Sequence, residues 1–370
     1  MRNNSLGATT LVESPRTEAD DLGVGSRRAR AWAWTGGLSV ALLLTVMGGV
    51  GLGAVWVAPS DVVGVIGHHL VGWPGERGWT DSTDSIVWKV RLPRVLLACL
   101  VGAGLAVCGV ALQAMVRNLL ADPYLLGVNS GASSGAAAAI LFGIGAGFGE
   151  HALQVSAFLG ALAASVLVFL VARSAGRVTS VRLLLAGVAV GYALYAATSF
   201  LIFASGSAEG ARSVMFWLLG SLGLAQWNTP LAVVAVVVLS TAALLTLWGR
   251  RLDALAIGDD TAHTLGISPE RFRMLLLVVV ALCIGVVVSA SGSIGFVGLV
   301  VPHLARRLVG ATHVRVVPVA ALIGAVLLVW ADVIARTLLQ PQEIPIGIIT
   351  SLVGAPFLLL LIRRLHATAA

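Results

Sequence analysis

Windows of about 20 apolar residues recur from residue 32 to residue 362, and no other feature of the chain restricts its fold as strongly. Coiled as an α-helix at 1.5 Å per residue, such a window spans a hydrocarbon layer of roughly 30 Å. Reading between the charged clusters gives ten spans, at 32–58, 93–116, 124–147, 152–172, 183–204, 229–249, 274–291, 294–310, 316–335 and 345–362. With 58% of its 370 residues hydrophobic and 11% charged, against roughly 25% charged in ordinary soluble domains, the chain cannot present those helices to water. The expected fold is all-α: a polytopic membrane protein of about ten transmembrane helices.

Residues 1–30 are polar and have no apolar core. They read as a disordered cytoplasmic tail and not as a cleavable leader, leaving 31–370 as the transmembrane domain. If that tail is cytoplasmic, 18 of the 24 basic residues fall on the inner side and six on the outer: Arg77, Lys89, Arg91, Arg94, Arg212 and Arg336. This bias satisfies the positive-inside rule, and an even number of spans returns the C-terminus to the cytoplasm. The formal charge of +7 is scattered in short clusters and builds no continuous face for nucleic acid.

The basic residues on the outer side need an explanation. Arg91 and Arg94 stand at the mouth of the second span, where two roles are open: snorkelling to the headgroups, or docking an acidic partner. Arg336 lies four residues after Asp332, so an i, i+4 ion pair is open to it as well.

Several chemistries are excluded. A Walker A loop needs GxxxxGK[ST], and the single lysine, Lys89 in "IVWKV", lacks the preceding glycines. "GVGLGA" at 49–54 sits inside an apolar span, without the strand that a dinucleotide fingerprint requires. The seven histidines and Cys99, Cys108 and Cys283 form no metal-ligand spacing, and no nucleophile, acid and base converge, so neither a catalytic residue nor a resident metal is expected. Asp122, Asp332 and Glu343 fall near span ends and not at mid-depth, which disfavours an ion-coupled carrier.

Small residues indicate close helix packing. Gly127, Gly131 and Gly135 share one face of the third span, and Gly187 and Gly191 repeat the spacing on the fifth. Ser130, Ser133 and Ser134 beside the first face can either line a wet passage or bond back to helix carbonyls. The stretch "RRLDALAIGDDTAHTLGISPERFR", residues 250–273, mixes both charges with apolar positions over the length of two short helices. Its "SPE" is a helix start, and the pattern is that of a cytoplasmic docking surface.

Taken together, these stretches resemble the FecCD-type permease subunit of iron-siderophore and cobalamin ATP-binding-cassette importers. The resemblance rests on "RLPRVLLACLVGAGLAVCGVALQAMVRNLLADPYLLGVNSGA" (91–132), "LLLAGVAVG" (183–191), "FWLLGSL" (216–222), "LAIGDDTAHTLGI" (255–267), "GSIGFVGLVVPHLARRLVG" (292–310) and "ADVIARTLLQPQEIPIGIITSLVGAPFLLLLI" (331–362). Two prolines usual in that family are missing: Leu119 stands in its NPLADP motif and Ser293 in its GPIGFVGL motif. Losing a proline loosens a turn without removing a chemical group.

The resemblance implies an importer subunit of a bacterial cytoplasmic membrane, most commonly for ferric siderophores, with cobalamin and haem as alternatives. It implies that Arg91, Arg94 and Arg336 pair with glutamates of an extracytoplasmic substrate-binding protein. It also implies that residues 250–273 seat in a cytoplasmic ATPase, with Gly258, Ala262, Leu265 and Gly266 matching the coupling pattern, and that Thr179 and Ser180 lie near the cytoplasmic gate. The partners so implied are a second permease, identical or related, two ATPase subunits and the binding protein. ATP and Mg would be used by the ATPase, with no cofactor in this chain.

Overall fold

The computed structural model describes residues 24–174 and 179–367, and they are helical along most of their length. Residues 1–23, most of the expected tail, lie outside the described residues, while 24–30 form the first turns of α1 (Val24–Gly51). Next come α2 (Pro59–Val71) and the single turn α3 (Asp81–Asp84), which continues through a π-helical segment, Ser85–Arg91, into α4 (Leu92–Val116). That widened segment ends just before Pro93, which has no N–H to return to the preceding turn.

The remaining helices are α5 (Val128–Phe142), α6 (Ala152–Ser174), α7 (Ser180–Ala204), α8 (Ala208–Leu218) and α9 (Thr229–Leu247). They are followed by α10 (Gly249–Ile257), α11 (Asp259–Thr264), α12 (Pro269–Ser291), α13 (Val297–Val309), α14 (His313–Thr337) and α15 (Ile346–Ala367).

Every expected span contains a helix, but among the described residues seven are long and apolar enough to cross a membrane. The tenth window holds the shorter apolar stretch Ile346–Leu361, and the third and eighth hold α5, of 15 residues, and α13, of 13, roughly 22 and 20 Å of helix. The reason for the last two is a backbone break inside each window. Asp122 caps the N–H of Tyr124, a 3-10 turn runs Pro123–Leu126, and Gly127 turns the chain with φ +70°. In the other window residues 292–296 are non-helical, and Phe296 adopts φ +68°.

The two breaks hold each other. The Tyr124 hydroxyl donates to the carbonyl of Ile294 and accepts from its N–H, each at 2.9 Å. A Cβ at Gly298 would meet the Pro123 ring at 2.7 Å and the Leu105 carbonyl, midway along α4, at 3.0 Å. Irregular backbone is tolerated at such depth only where protein encloses it, and both breaks are enclosed by α4 and each other. The turn lacking its proline is held differently: Asn118 Oδ1 accepts from Leu120 N–H at 2.9 Å, and the Leu119 carbonyl bonds His303 Nε2 at 2.7 Å.

α4 is the centre of the bundle, with every residue from Gly104 to Val116 buried and α1, α9, α12, α13 and α14 packed around it. Glycines set the closest approaches. Carbonyl oxygens lie where side chains would be: Gly324 against Gly102, and Gly298 against Gly109. Of the expected glycine face, Gly131 and Gly135 pack on α6 in the same way, against the carbonyls of Gly160 and Ser156, whereas Gly127 lies in the turn before α5. Ser133 bonds back to the Asn129 carbonyl within α5, whereas Ser134 meets Thr198 of α7 at 2.8 Å and joins the two helices.

Candidate functional site

The two ends of α4, roughly 37 Å apart for its 25 residues, carry the two groups of residues that the sequence singles out. At its N-terminal end Arg94 Nε contacts Asp332 Oδ1 at 2.9 Å, and its two terminal nitrogens reach Glu343 at 3.0 Å. Asp332 is shared: its other oxygen lies 3.2 Å from Arg336 Nε, the i, i+4 pair expected from sequence. Arg336 also donates to the Gly49 carbonyl. Arg91 donates to three carbonyls at the end of α1 and just beyond it, those of Val50, Gly51 and Val55.

The three arginines expected to dock a partner differ in exposure. Arg91 and Arg336 are 6% and 8% exposed and fasten α1 to the bundle. Their guanidinium groups satisfy carbonyls left open where α1 ends, so neither presents a fork to solvent. Arg94 alone has an exposed partner, since Glu343 is 52% exposed. A cavity opens beside it, lined by Phe216, Trp217, Leu224, Asp332 and Glu343.

At the other end of α4, the 250–273 stretch folds as two short helices, α10 and α11, joined at Gly258, and the first turn of α12. Ala262 is buried, Leu265 and Ile257 are exposed, and Gly266 turns the chain at φ +75° with open space around it. The matching positions thus divide into an anchored side and a bare apolar side. Two aspartates anchor the segment. Asp253 accepts from the backbone N–H of His313 at 2.9 Å and contacts its Nδ1 at 2.6 Å, tying α10 to the start of α14. Asp259 receives both arms of Arg273, at 3.1 and 2.6 Å. That fork holds the Asp259 carboxyl below its ordinary range, with Arg117 assisting, so it stays ionised at neutral pH.

Arg273 is the residue that sequence reading missed. It counts there as one more inner-side charge, yet it is fully buried, and its Nε donates to the Met115 carbonyl at the end of α4 at 3.3 Å. The same carbonyl accepts from the Ser180 hydroxyl at 3.0 Å. Ser180 begins α7, and Thr179, its N-cap, accepts from Arg182 N–H. The structure thus brings Thr179 and Ser180 to the coupling segment. The signal for Arg273 would have been its place as the last charge before the apolar run of α12, with aspartates upstream.

A family model described as the FecCD transport family matches residues 41–364. The hemin transport system permease protein HmuU of Yersinia pestis is 44% identical over 292 residues, 77% of this chain and 86% of that relative. The cobalamin import system permease protein BtuC of Halobacterium salinarum is 39% identical over 367 residues, 91% of this chain and 97% of that relative. Among solved structures, an inward-facing metal-chelate type ABC transporter superimposes with a TM-score of 0.77 at 33% identity, covering 89% of this chain and 98% of that one. The match extends from the middle of α1 into α15 and includes both ends of α4, and the chain belongs to the FecCD transport family.

Proposed function

We propose that the chain is the membrane-spanning permease subunit of an ATP-binding-cassette importer in a bacterial cytoplasmic membrane, carrying a ferric siderophore. The observation that carries this reading is the α10–α11 knob, firmly anchored to the bundle yet bare at Ile257 and Leu265, in a chain whose relatives are import permeases along nearly their whole length. Hemin, cobalamin and metal chelates, the cargoes in those relatives' names, share a metal held by an organic ligand. A ferric siderophore belongs to that class.

In this reading two permease copies, identical or related, enclose the passage, two ATPase subunits bind ATP and Mg on the inner side, and a binding protein delivers cargo outside. Nucleotide-dependent movement reaches the permease through the knob and biases a two-state passage. The deciding test is uptake of radiolabelled iron as ferric siderophores, of labelled cobalamin and of haem in cells with and without the gene. Loss of siderophore uptake supports the reading; loss of cobalamin or haem uptake alone moves the cargo to that branch.

Gly266 tests the knob. Open space surrounds it, and at φ +75° any side chain strains the local turn, so a tryptophan there both adds bulk toward the ATPase and shifts the end of the knob, without entering the bundle. Gly266→Trp is expected to lower transport per ATP hydrolysed at least tenfold in vesicles, while the variant purifies like the parent. Unchanged transport would remove the knob from the mechanism.

Arg94 tests the other end. An acidic residue of a binding protein can take the place of Glu343 on the guanidinium fork. Exposed pairs contribute about 0–1 kcal/mol, so Glu343→Gln is expected to tighten binding-protein affinity by up to about fivefold, with Arg94→Gln weakening it. Titration calorimetry with the cognate binding protein checks this, and equal affinities in all three proteins would place docking elsewhere.

A further inference from the structure

The His69, Asp84, Trp79 and Trp88 cluster is internally satisfied, His69 bonding Asp84 at 3.0 Å and stacking on Trp88 at 4.3 Å between ring centroids, so it holds the loop before α4 together. Cys108 and Cys283 are neighbours that are completely buried. The contacts of Arg273 reach furthest, because they join two elements that must respond to one another.

Three groups meet at the C-terminal end of α4. Asp259, in the coupling segment, holds the two terminal nitrogens of Arg273. The remaining nitrogen of that guanidinium holds the Met115 carbonyl, and the second donor on that carbonyl is Ser180, at the first turn of α7. A guanidinium is planar and its nitrogens have a fixed spacing, so one arginine cannot let Asp259 shift without changing its angle to Met115. A carbonyl shared by two donors in turn couples the second donor to the first. The path from coupling segment to gate is thus a short chain of directed hydrogen bonds through one buried side chain.

We infer that Arg273 is a positioning residue of the transport cycle, transmitting displacement of the coupling segment to the start of α7 through the Met115 carbonyl and Ser180. This rests on the importer reading above. It predicts that the gate loses its response to nucleotide when either Arg273 or Ser180 is altered, although the coupling segment itself is untouched in the second case. A lysine at 273 keeps the charge and can neutralise Asp259, but it cannot hold Asp259 with two nitrogens and Met115 with a third.

The experiment uses the permease assembled with its ATPase in lipid nanodiscs and a Val181→Cys label site, which is exposed at the start of α7. The rate of maleimide labelling is measured without nucleotide and with ATP plus vanadate. In the parent the rate should change with nucleotide; a parent that shows no change would count against the importer reading itself. In Arg273→Lys and Ser180→Ala, ATP hydrolysis is expected to persist while the nucleotide-dependent change in labelling falls at least fivefold. If Arg273→Lys also loses hydrolysis, Ser180→Ala decides. A full labelling response in Ser180→Ala would overturn the proposal, and a response lost in both with hydrolysis retained would support it.

Discussion

Asp332→Ala is expected to be the most damaging single substitution outside the glycines, at about 3–5 kcal/mol, because it strips the shared carboxylate from two arginines at once. Arg336 is 8% exposed and Asp332 is 1% exposed, so the loss leaves a buried guanidinium that keeps its bond to the Gly49 carbonyl but has lost its ion-pair partner. Arg94 retains Glu343. The double variant Asp332→Leu, Arg336→Met should recover much of the loss, since it removes the buried pair and fills its volume with apolar atoms. Folded fraction against added SDS in mixed micelles checks both. If the single variant resisted SDS as well as the parent, the cluster would hold no structural role.

Gly109→Val should follow closely, at about 1–3 kcal/mol or more, because it overpacks a contact made of backbone. A Cβ at Gly109 would lie 1.9 Å from the Gly298 carbonyl oxygen, where ordinary contact begins at 3.4 Å. The difference, 3.4 minus 1.9, requires α13 to retreat by about 1.5 Å. Gly298 is pressed on its other side against Pro123, so the displacement would also load the bonds between Tyr124 and Ile294. Gly191→Ala is the matched control. Its new methyl would meet Ser130 Oγ at 3.7 Å, an ordinary contact, and its stability should stay within about 0.5 kcal/mol of the parent. Thermal loss of the monodisperse peak in detergent measures both, and equal midpoints would contradict the packing argument.

Much of this architecture was legible because hydropathy and helix geometry are local properties. Each expected span contains a helix, Gly131 and Gly135 of α5 pack as their spacing implies, and the i, i+4 pair of Asp332 with Arg336 is present. The short α5 and α13 were not legible, because hydropathy averages over a window and takes no account of φ; the apolar Phe296 hides a break that only its positive φ reveals. Arg94 and Asp332 are 238 residues apart in sequence, and Arg273 pairs with Asp259 across a turn between two helices. Charge counting could flag those arginines as unusual. It could not tell a residue facing a partner from one closing a helix end, because that depends on where α1 terminates.

The glycine contacts of α4 also determine which parts of the molecule can move. A helix enclosed on all sides, with carbonyls of its neighbours lodged where side chains would be, can neither slide nor rotate without carrying those neighbours along. It behaves as a fixed shaft. Shape change then falls to the rim, where α7 turns Tyr192, Tyr195, Phe200 and Phe203 outward. Its first turn is joined to the shaft by a side-chain bond from Ser180 to Met115. Force applied at one end of such a shaft is delivered with little loss to whatever is fastened at that end, and α7 carries it on to α5, which Ser134 ties to Thr198.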